Sequence, residues 1–216
     1  MDDDPTGAGV RRTYERIADH FSATREYPWP EIESFLDGRD TGGVGLDLGC
    51  GNGRHVPPLG IVTDRVLAAD VSHGLLDAAR ERLRDEPTPV DLLQADAATV
   101  PVRSDAIAVA IYVATLHHLP SRDARVGSLD ELARVLAPDG RALVSAWSTE
   151  HDRFDATVGF DTTVDWTLPD GETVPRYYHI YDPDEFRTDI AESNLQAVET
   201  FVSSGNCYAV ARPAEQ

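Results

Sequence analysis

The run GLDLGCGNGRH, residues 45–55, decides how the rest of the chain is read. An apolar stretch, "GVGLDL", runs without a polar break into a G-x-G-x-G turn at Gly49, Gly51 and Gly53. A short segment interrupted by Pro57 and Pro58 follows, which reads as a brief helix. Strand, glycine turn and helix in that order start a strand–crossover–strand unit, because a buried parallel strand is apolar throughout and needs a helix to reach the next one. Downstream the alternation continues: "RVLAAD" reads as a strand, "HGLLDAARERLRDE" as a helix, "VDLLQAD" and "DAIAVAIYVATL" as strands. Then "RDARVGSLDELARVLAPDG" reads as a helix ending at glycine, and "RALVSAW" as another strand. This grammar predicts an α/β fold with a doubly wound, Rossmann-like, seven-stranded and mostly parallel sheet. "LQAVETFVSS" and "NCYAVAR", joined at Gly205, supply its terminal antiparallel β-hairpin.

One domain, residues 1–216, accommodates all of this. The first ten residues read as disordered, and 11–38 as amino-terminal helices, the second closed by Gly38. Residues 148–181 break the alternation. Their first part is rich in Asp and Thr without a clear period and reads as an excursion on the substrate side of the sheet. "DPDEFRTDIAES" returns to helix, with Asp182 as N-cap and Pro183 in the first turn.

The charge is one-sided. There are 38 acidic residues against 19 basic ones, a formal net charge of −19, and all the basic residues are arginine. Such a surface repels nucleic acid in dilute salt. At about 1 M salt the Debye length is about 3 Å and only close contacts survive, so the composition suits a halophilic host, the alternative being an acidic protein of a GC-rich genome, and leaves a nucleic-acid substrate open. Two distant cysteines make neither a disulfide framework nor a metal site, and no run is apolar enough to span a membrane. The acidic start lacks the features of an export signal, so a cytoplasmic location is expected.

The glycine turn falls at the carboxyl end of the first strand, where open α/β sheets bind ligands. A nicotinamide loop would carry a small residue where this chain has Arg54. Asp47, just before the turn, suits an ammonium reached directly or through water rather than a pyrophosphate. Asp70 ends the second strand in "LAADVS" and can accept from both hydroxyls of a ribose. Asp96 ends the third in "LLQADA", placed for an adenine amino group, with the Ala97 N–H facing the ring. Either acid alone would be a loop solvator; together with the glycine turn, Asp70 and Asp96 at successive strand ends define an adenosine site. His117 and His118, at the rim after the fourth strand, point different ways and predict no metal.

The core, 43 to about 147, resembles class I S-adenosylmethionine-dependent methyltransferases in its "LDLGCG" turn and in the "HHL" after the fourth strand. Further pieces resemble the family that esterifies 5-carboxymethyluridine at the wobble position of tRNA. These are "YERIADHFSATREYPWPEIESFL" (14–36), "TLHHL" (115–119), "ELARVLAPDGRALVSAW" (131–147), "RYYHIY" (176–181) and "GNCYAVAR" (205–212). The resemblance implies S-adenosyl-L-methionine as cofactor, held by Asp47, Gly49, Gly51, Gly53, Asp70, Val71, Asp96, Ala97 and Val113. It implies a reaction that needs little from the protein: a carboxylate is already ionised, so the work is desolvation and alignment. Arg25 and Arg176 are the candidates for holding the carboxylate or a phosphate, Tyr177 and Tyr178 for gripping the flipped base, and His117 for facing the substrate, with His118 packing behind. Trp147 is balanced between core and base platform, and Asn206 is a further candidate for the pocket. "RYYHIY" has no purely apolar face, and so reads as substrate wall rather than core strand. The resemblance also implies a partner, a small zinc-binding activator protein forming a heterodimer along the sheet edge near Pro89–Gln94. The alternatives are a methyltransferase for a small molecule or protein, and a non-catalytic nucleotide-binding subunit.

Overall fold

The computed structural model describes residues 7–39 and 42–215. Seven strands form one sheet in the order β3-β2-β1-β4-β5-β9-β8. They are β1 Val44–Leu48, β2 Arg65–Asp70, β3 Val90–Gln94, β4 Ile107–Tyr112, β5 Leu136–Trp147, β8 Leu195–Ser203 and β9 Asn206–Pro213. The first five pair in parallel, and β9 turns the sheet antiparallel between β5 and β8. The strand order reverses beside β1, whose neighbours are β2 on one side and β4 on the other. A crevice opens at such a reversal because the crossovers on either side leave in opposite directions.

The central strands are buried on both faces. Leu46, Leu48, Ile107, Ile111 and Val144 are at most 1% exposed. Fully burying an aliphatic side chain of this size stabilises by about 1.5–3 kcal/mol. One face packs on α5 Arg122–Val135 and α6 Pro183–Glu192. The other packs on α2 Pro30–Leu36, α3 Val56–Ile61 and α4 His73–Arg82. Asp182 caps α6 as expected, accepting from the N–H groups of Asp184 and Glu185, and Ser72 caps α4 by accepting from the Leu75 N–H.

Four local expectations change. Residues 7–10, expected to be disordered, are the first turn of α1 Gly7–Ala23, with residues 1–6 outside the described part. Pro57 and Pro58 do not cut α3; they stand in its first turn, where no N–H is needed. Helix α5 ends at Val135 and β5 begins at Leu136, because Pro138 cannot continue a helix. The polar excursion contains a two-stranded hairpin of its own, β6 Phe160–Thr167 with β7 Thr173–Ile180, leaning against α1 and the one-turn helix Leu116–His118.

Candidate functional site

The glycine turn is compressed between two elements, which is why it needs glycine. Gly49 has φ 76°, and a Cβ there would lie 2.0 Å from Thr115 Oγ1. At Gly53, φ 76°, it would meet Leu83 Cδ1 at 2.8 Å. A Cβ at Gly51 would meet only Phe21 Cε1, at 3.7 Å, so this part of the backbone faces open space. Asn52, buried beneath the turn, donates to the carbonyls of Ser22 and Arg25 at 3.1 and 2.8 Å and ties the loop after α1 to it.

Two carboxylates lie under the turn. Asp47 is 1% exposed, and its Oδ2 has no hydrogen-bond partner among the described residues. Burial, aided by the Asp70 charge and opposed by Arg54, raises its pKa to about 7. Asp70 accepts the Gly51 N–H on Oδ2 at 2.8 Å and the Ser72 N–H on Oδ1 at 2.9 Å. Burial raises it to about 6 against the pull of those N–H groups. Asp96 is exposed, and its Oδ1 accepts the Ala98 N–H at 2.9 Å. Gly49, Gly51, Asp70, Val71, Asp96 and Ala97 all line a cavity of about 260 Å³ at the switch point. Asp47, Gly53 and Val113 lie outside its lining: Asp47 below the turn, Gly53 against α4, Val113 in the core. A buried acid with an unpaired oxygen, a second acid on the cavity wall and a turn with space over Gly51 fit a cationic nucleoside such as S-adenosylmethionine.

The opposite wall comes from α1 and the one-turn helix Leu116–His118, with the hairpin packed behind them. Tyr14, Phe21 and His118 line the cavity. His118 Nδ1 lies 2.9 Å from the Tyr177 carbonyl, which only accepts, so Nδ1 carries the proton. Nε2 is then an acceptor, and the Tyr14 hydroxyl donates to it at 2.8 Å. Burial lowers the His118 pKa to about 4, so the ring is neutral. The structure thus places the two histidines the other way round from the sequence expectation. His117 lies behind, its Nδ1 accepting the Trp147 N–H at 2.9 Å, and burial holds it well below the usual histidine range.

"RYYHIY" divides between its two faces. Arg176 and Tyr178 share the face that packs on the histidines, outside the lining of the cavity, and the Tyr178 ring packs on both histidines and Trp147. Tyr177 turns away and donates to Asp161 Oδ1 at 2.8 Å; His179 joins the same acid, and Tyr181 donates to buried Asp189. Arg176 is 8% exposed and its Nε has no partner among the described residues. Its guanidinium lies 4.8 Å from the Trp166 ring centre, and that of Arg25 lies 5.3 Å from the same ring. The two candidate arginines are therefore brought together by an indole that the sequence reading passed over. The signal was present: Val164, Trp166 and Leu168 alternate with Thr163, Asp165 and Thr167 at strand period. Trp147 sits in an aromatic cluster with His151 and Phe154, and Asn206 donates to Ser204 in the terminal hairpin, so neither reaches the cavity.

Residues 46–144, which hold the switch point of the doubly wound sheet and its acid-flanked glycine turn, match the family described as "Methyltransferase domain". The chain is 41% identical over 144 residues to the tRNA (carboxymethyluridine(34)-5-O)-methyltransferase of Mus musculus, covering 66% of this chain and 20% of that protein. To the protein of the same description from Saccharomyces cerevisiae it is 34% identical over 172 residues, covering 77% and 59%. The chain thus spans a fifth to about three-fifths of the length of these relatives. In fold it matches the CcbJ methyltransferase from Streptomyces caelestis with TM-score 0.73 at 20% identity, covering 98% of this chain and 100% of that one. The DhpI–SAH complex matches with TM-score 0.71 at 21% identity, over 98% and 100%.

Proposed function

We propose that this protein esterifies the carboxylate of 5-carboxymethyluridine at the wobble position of tRNA, using S-adenosyl-L-methionine, within one catalytic domain whose 148–181 segment is the substrate side. The observation that carries the substrate half of this reading is Arg176. It is a buried guanidinium beside the cavity with no carboxylate in contact among the described residues, which calls for an anionic ligand.

When bound, S-adenosylmethionine supplies a methyl group on a positively charged sulfur. Asp70 and Asp96 are placed for its ribose and adenine, Gly51 for close backbone approach, and Asp47 for its ammonium. Arg176 and Arg25, spaced by Trp166, hold the acceptor carboxylate and the phosphate next to it. Tyr178 and Phe21 close the space around them. No histidine serves as base: His118, the one histidine among the described residues lining the cavity, is neutral with both nitrogens engaged, and the wall carboxylates Asp70 and Asp96 are assigned to the cofactor. An acceptor already ionised at neutral pH needs none, and water exclusion with in-line positioning supplies the acceleration.

The proposal includes the small zinc-binding activator, docked along β3. Strand β3 is an edge, the described backbone between β3 and β4 contains no helix, and the shallow depression there has apolar residues such as Leu67, Val90, Leu92 and Leu93 beside the charged Arg65, Arg80, Asp91 and Arg103. Apolar side chains on an uncovered edge favour cover by another chain. It also includes a cytoplasmic, halophilic setting, consistent with the acidic, lysine-free composition; among the described residues no helix is long and apolar enough to cross a membrane. The test is methyl transfer in multimolar KCl from labelled S-adenosylmethionine to tRNA of a strain lacking this gene, with and without the activator. Base-labile label in the wobble uridine is expected. Cofactor binding with no label in tRNA, activator present, overturns the reading.

A further inference from the structure

In a chain with twice as many acids as bases, many arginines have a carboxylate partner, Arg65, Arg80, Arg84, Arg122 and Arg134 among them. Three that do not, among the described residues, stand together beside the glycine turn. Arg54 follows the turn, and its guanidinium lies 5.1 Å from the ring centre of Trp29. Arg82, in the last turn of α4, donates to the carbonyls of Glu26 and Arg25, both at 3.0 Å. Arg25 spends one nitrogen on Thr24, at 3.1 Å to its carbonyl and 3.3 Å to its hydroxyl. These cations lie close enough to act on one another. Partial burial, then the Arg25 charge, lowers the Arg54 pKa to about 10, with Arg82 adding to the effect and Asp47 opposing it. Three like charges held together are unfavourable unless something anionic joins them. Beside them Tyr27 is 73% exposed in the stiff segment Tyr27–Pro30.

We infer that Arg54 and Arg82, with Arg25 and the exposed ring of Tyr27, form a backbone subsite for single-stranded RNA, binding the phosphodiesters next to the nucleotide whose base enters the cavity. The inference rests on the tRNA reading above and adds to it a site outside the cofactor cavity. Guanidinium forks match phosphate oxygens bidentately, and an exposed ring beside them stacks a base of any sequence. The subsite joins the cavity without a gap, because Arg25 lies 5.3 Å from the ring centre of Phe21, which lines it. Hydrogen-bonded forks act at contact distance, so they also suit a chain that works where long-range attraction is screened.

The experiment uses the full chain with its activator in multimolar KCl and two acceptors: an anticodon stem-loop carrying 5-carboxymethyluridine, and the free nucleoside, which has no phosphate. For the R54Q/R82Q double variant, KM for the stem-loop rises about tenfold. At saturating S-adenosylmethionine, turnover on the stem-loop and activity on the nucleoside stay within twofold of wild type. Arg187→Gln, the same charge loss on α6, changes nothing. Should the double variant fold poorly, Tyr27→Ala, at an exposed position, gives the same selective rise in stem-loop KM. Unchanged stem-loop KM in both, or an equal loss on the nucleoside, overturns the subsite while wild type still methylates tRNA. Wild type inactive on every tRNA overturns the reading beneath it as well.

Discussion

Tyr14 Oη and His118 Nε2, from residues 104 apart in sequence, meet at 2.8 Å on the cavity wall. Because the Tyr177 carbonyl takes the proton on the other nitrogen, the tyrosine must be the donor, and one line of bonds joins α1, the rim after β4 and β7. Tyr14→Phe leaves a buried imidazole nitrogen unpaired, which costs about 1–3 kcal/mol of stability. Denaturant unfolding should show that loss. Acceptor KM should rise as well, with cofactor affinity close to wild type. A stability loss with no change in acceptor KM would mark Tyr14 as purely structural.

The pH dependence of stability should carry His118's signature. Its folded pKa, about 4, is below the ordinary 6.5, so between those values the unfolded chain binds the extra proton. Stability is then present above pH 6.5 and lost as pH falls toward 4, by at most about 3 kcal/mol from this ring. Asp47 and Asp70, raised to about 7 and about 6, act in the opposite direction over part of the same range. The comparison of wild type with His118→Gln isolates the ring: the variant should lose less stability than wild type between pH 6.5 and 4.5.

Asp47 should trade stability for binding. With a folded pKa of about 7 against 3.8, it burdens the unliganded protein above pH 7 and progressively less as pH falls toward 4. Asp47→Asn should therefore stabilise the unliganded chain by about 2–4 kcal/mol at pH 8, with the gain vanishing near pH 4. The same variant should lose cofactor affinity. Titration calorimetry in buffers of different ionisation enthalpy should show wild type releasing a proton on binding S-adenosylmethionine near pH 6.5, and the variant releasing less.

Gly49→Ala tests the compression of the turn. The new methyl group meets Thr115 Oγ1 at 2.0 Å with φ at 76°, so both crowding and backbone strain oppose it. The expected cost is about 2–5 kcal/mol. Adding Thr115→Gly should recover the crowding part and leave the backbone part, a partial rescue seen by thermal unfolding.

The sheet and the cavity floor were legible because they obey local rules. Apolar runs with glycine or N-cap punctuation mark β1, β2, α4 and α6, and the acids at strand ends follow from topology. The wall was harder to read because its residues are distant in sequence and polar. Nothing near His117 and His118 tells which one faces the cavity; that depends on Trp147 and Tyr177 offering an N–H and a carbonyl from other strands. Hairpin β6–β7 lay under Asp and Thr, which obscured an alternation that Trp166 completes. The pairing of Arg25 with Arg176 exists only once that hairpin folds back against α1.

Trp166 is the residue on which that pairing depends. Its Nε1–H donates to His20 Nδ1 at 3.0 Å, which fixes the ring on α1 while guanidiniums approach it from β7 and from the loop after α1. Cation–π contacts of this kind contribute about 0.5–2 kcal/mol each, the upper end when desolvated. Trp166→Ala releases both arginines from their common support, so acceptor KM should rise about tenfold or more, and Trp166→Phe should recover part of it. The cofactor cavity does not include Trp166, so the dissociation constant for S-adenosylmethionine should stay within about twofold. If Trp166→Ala instead abolished cofactor binding, the indole would be holding α1 over the cavity rather than presenting arginines to the acceptor.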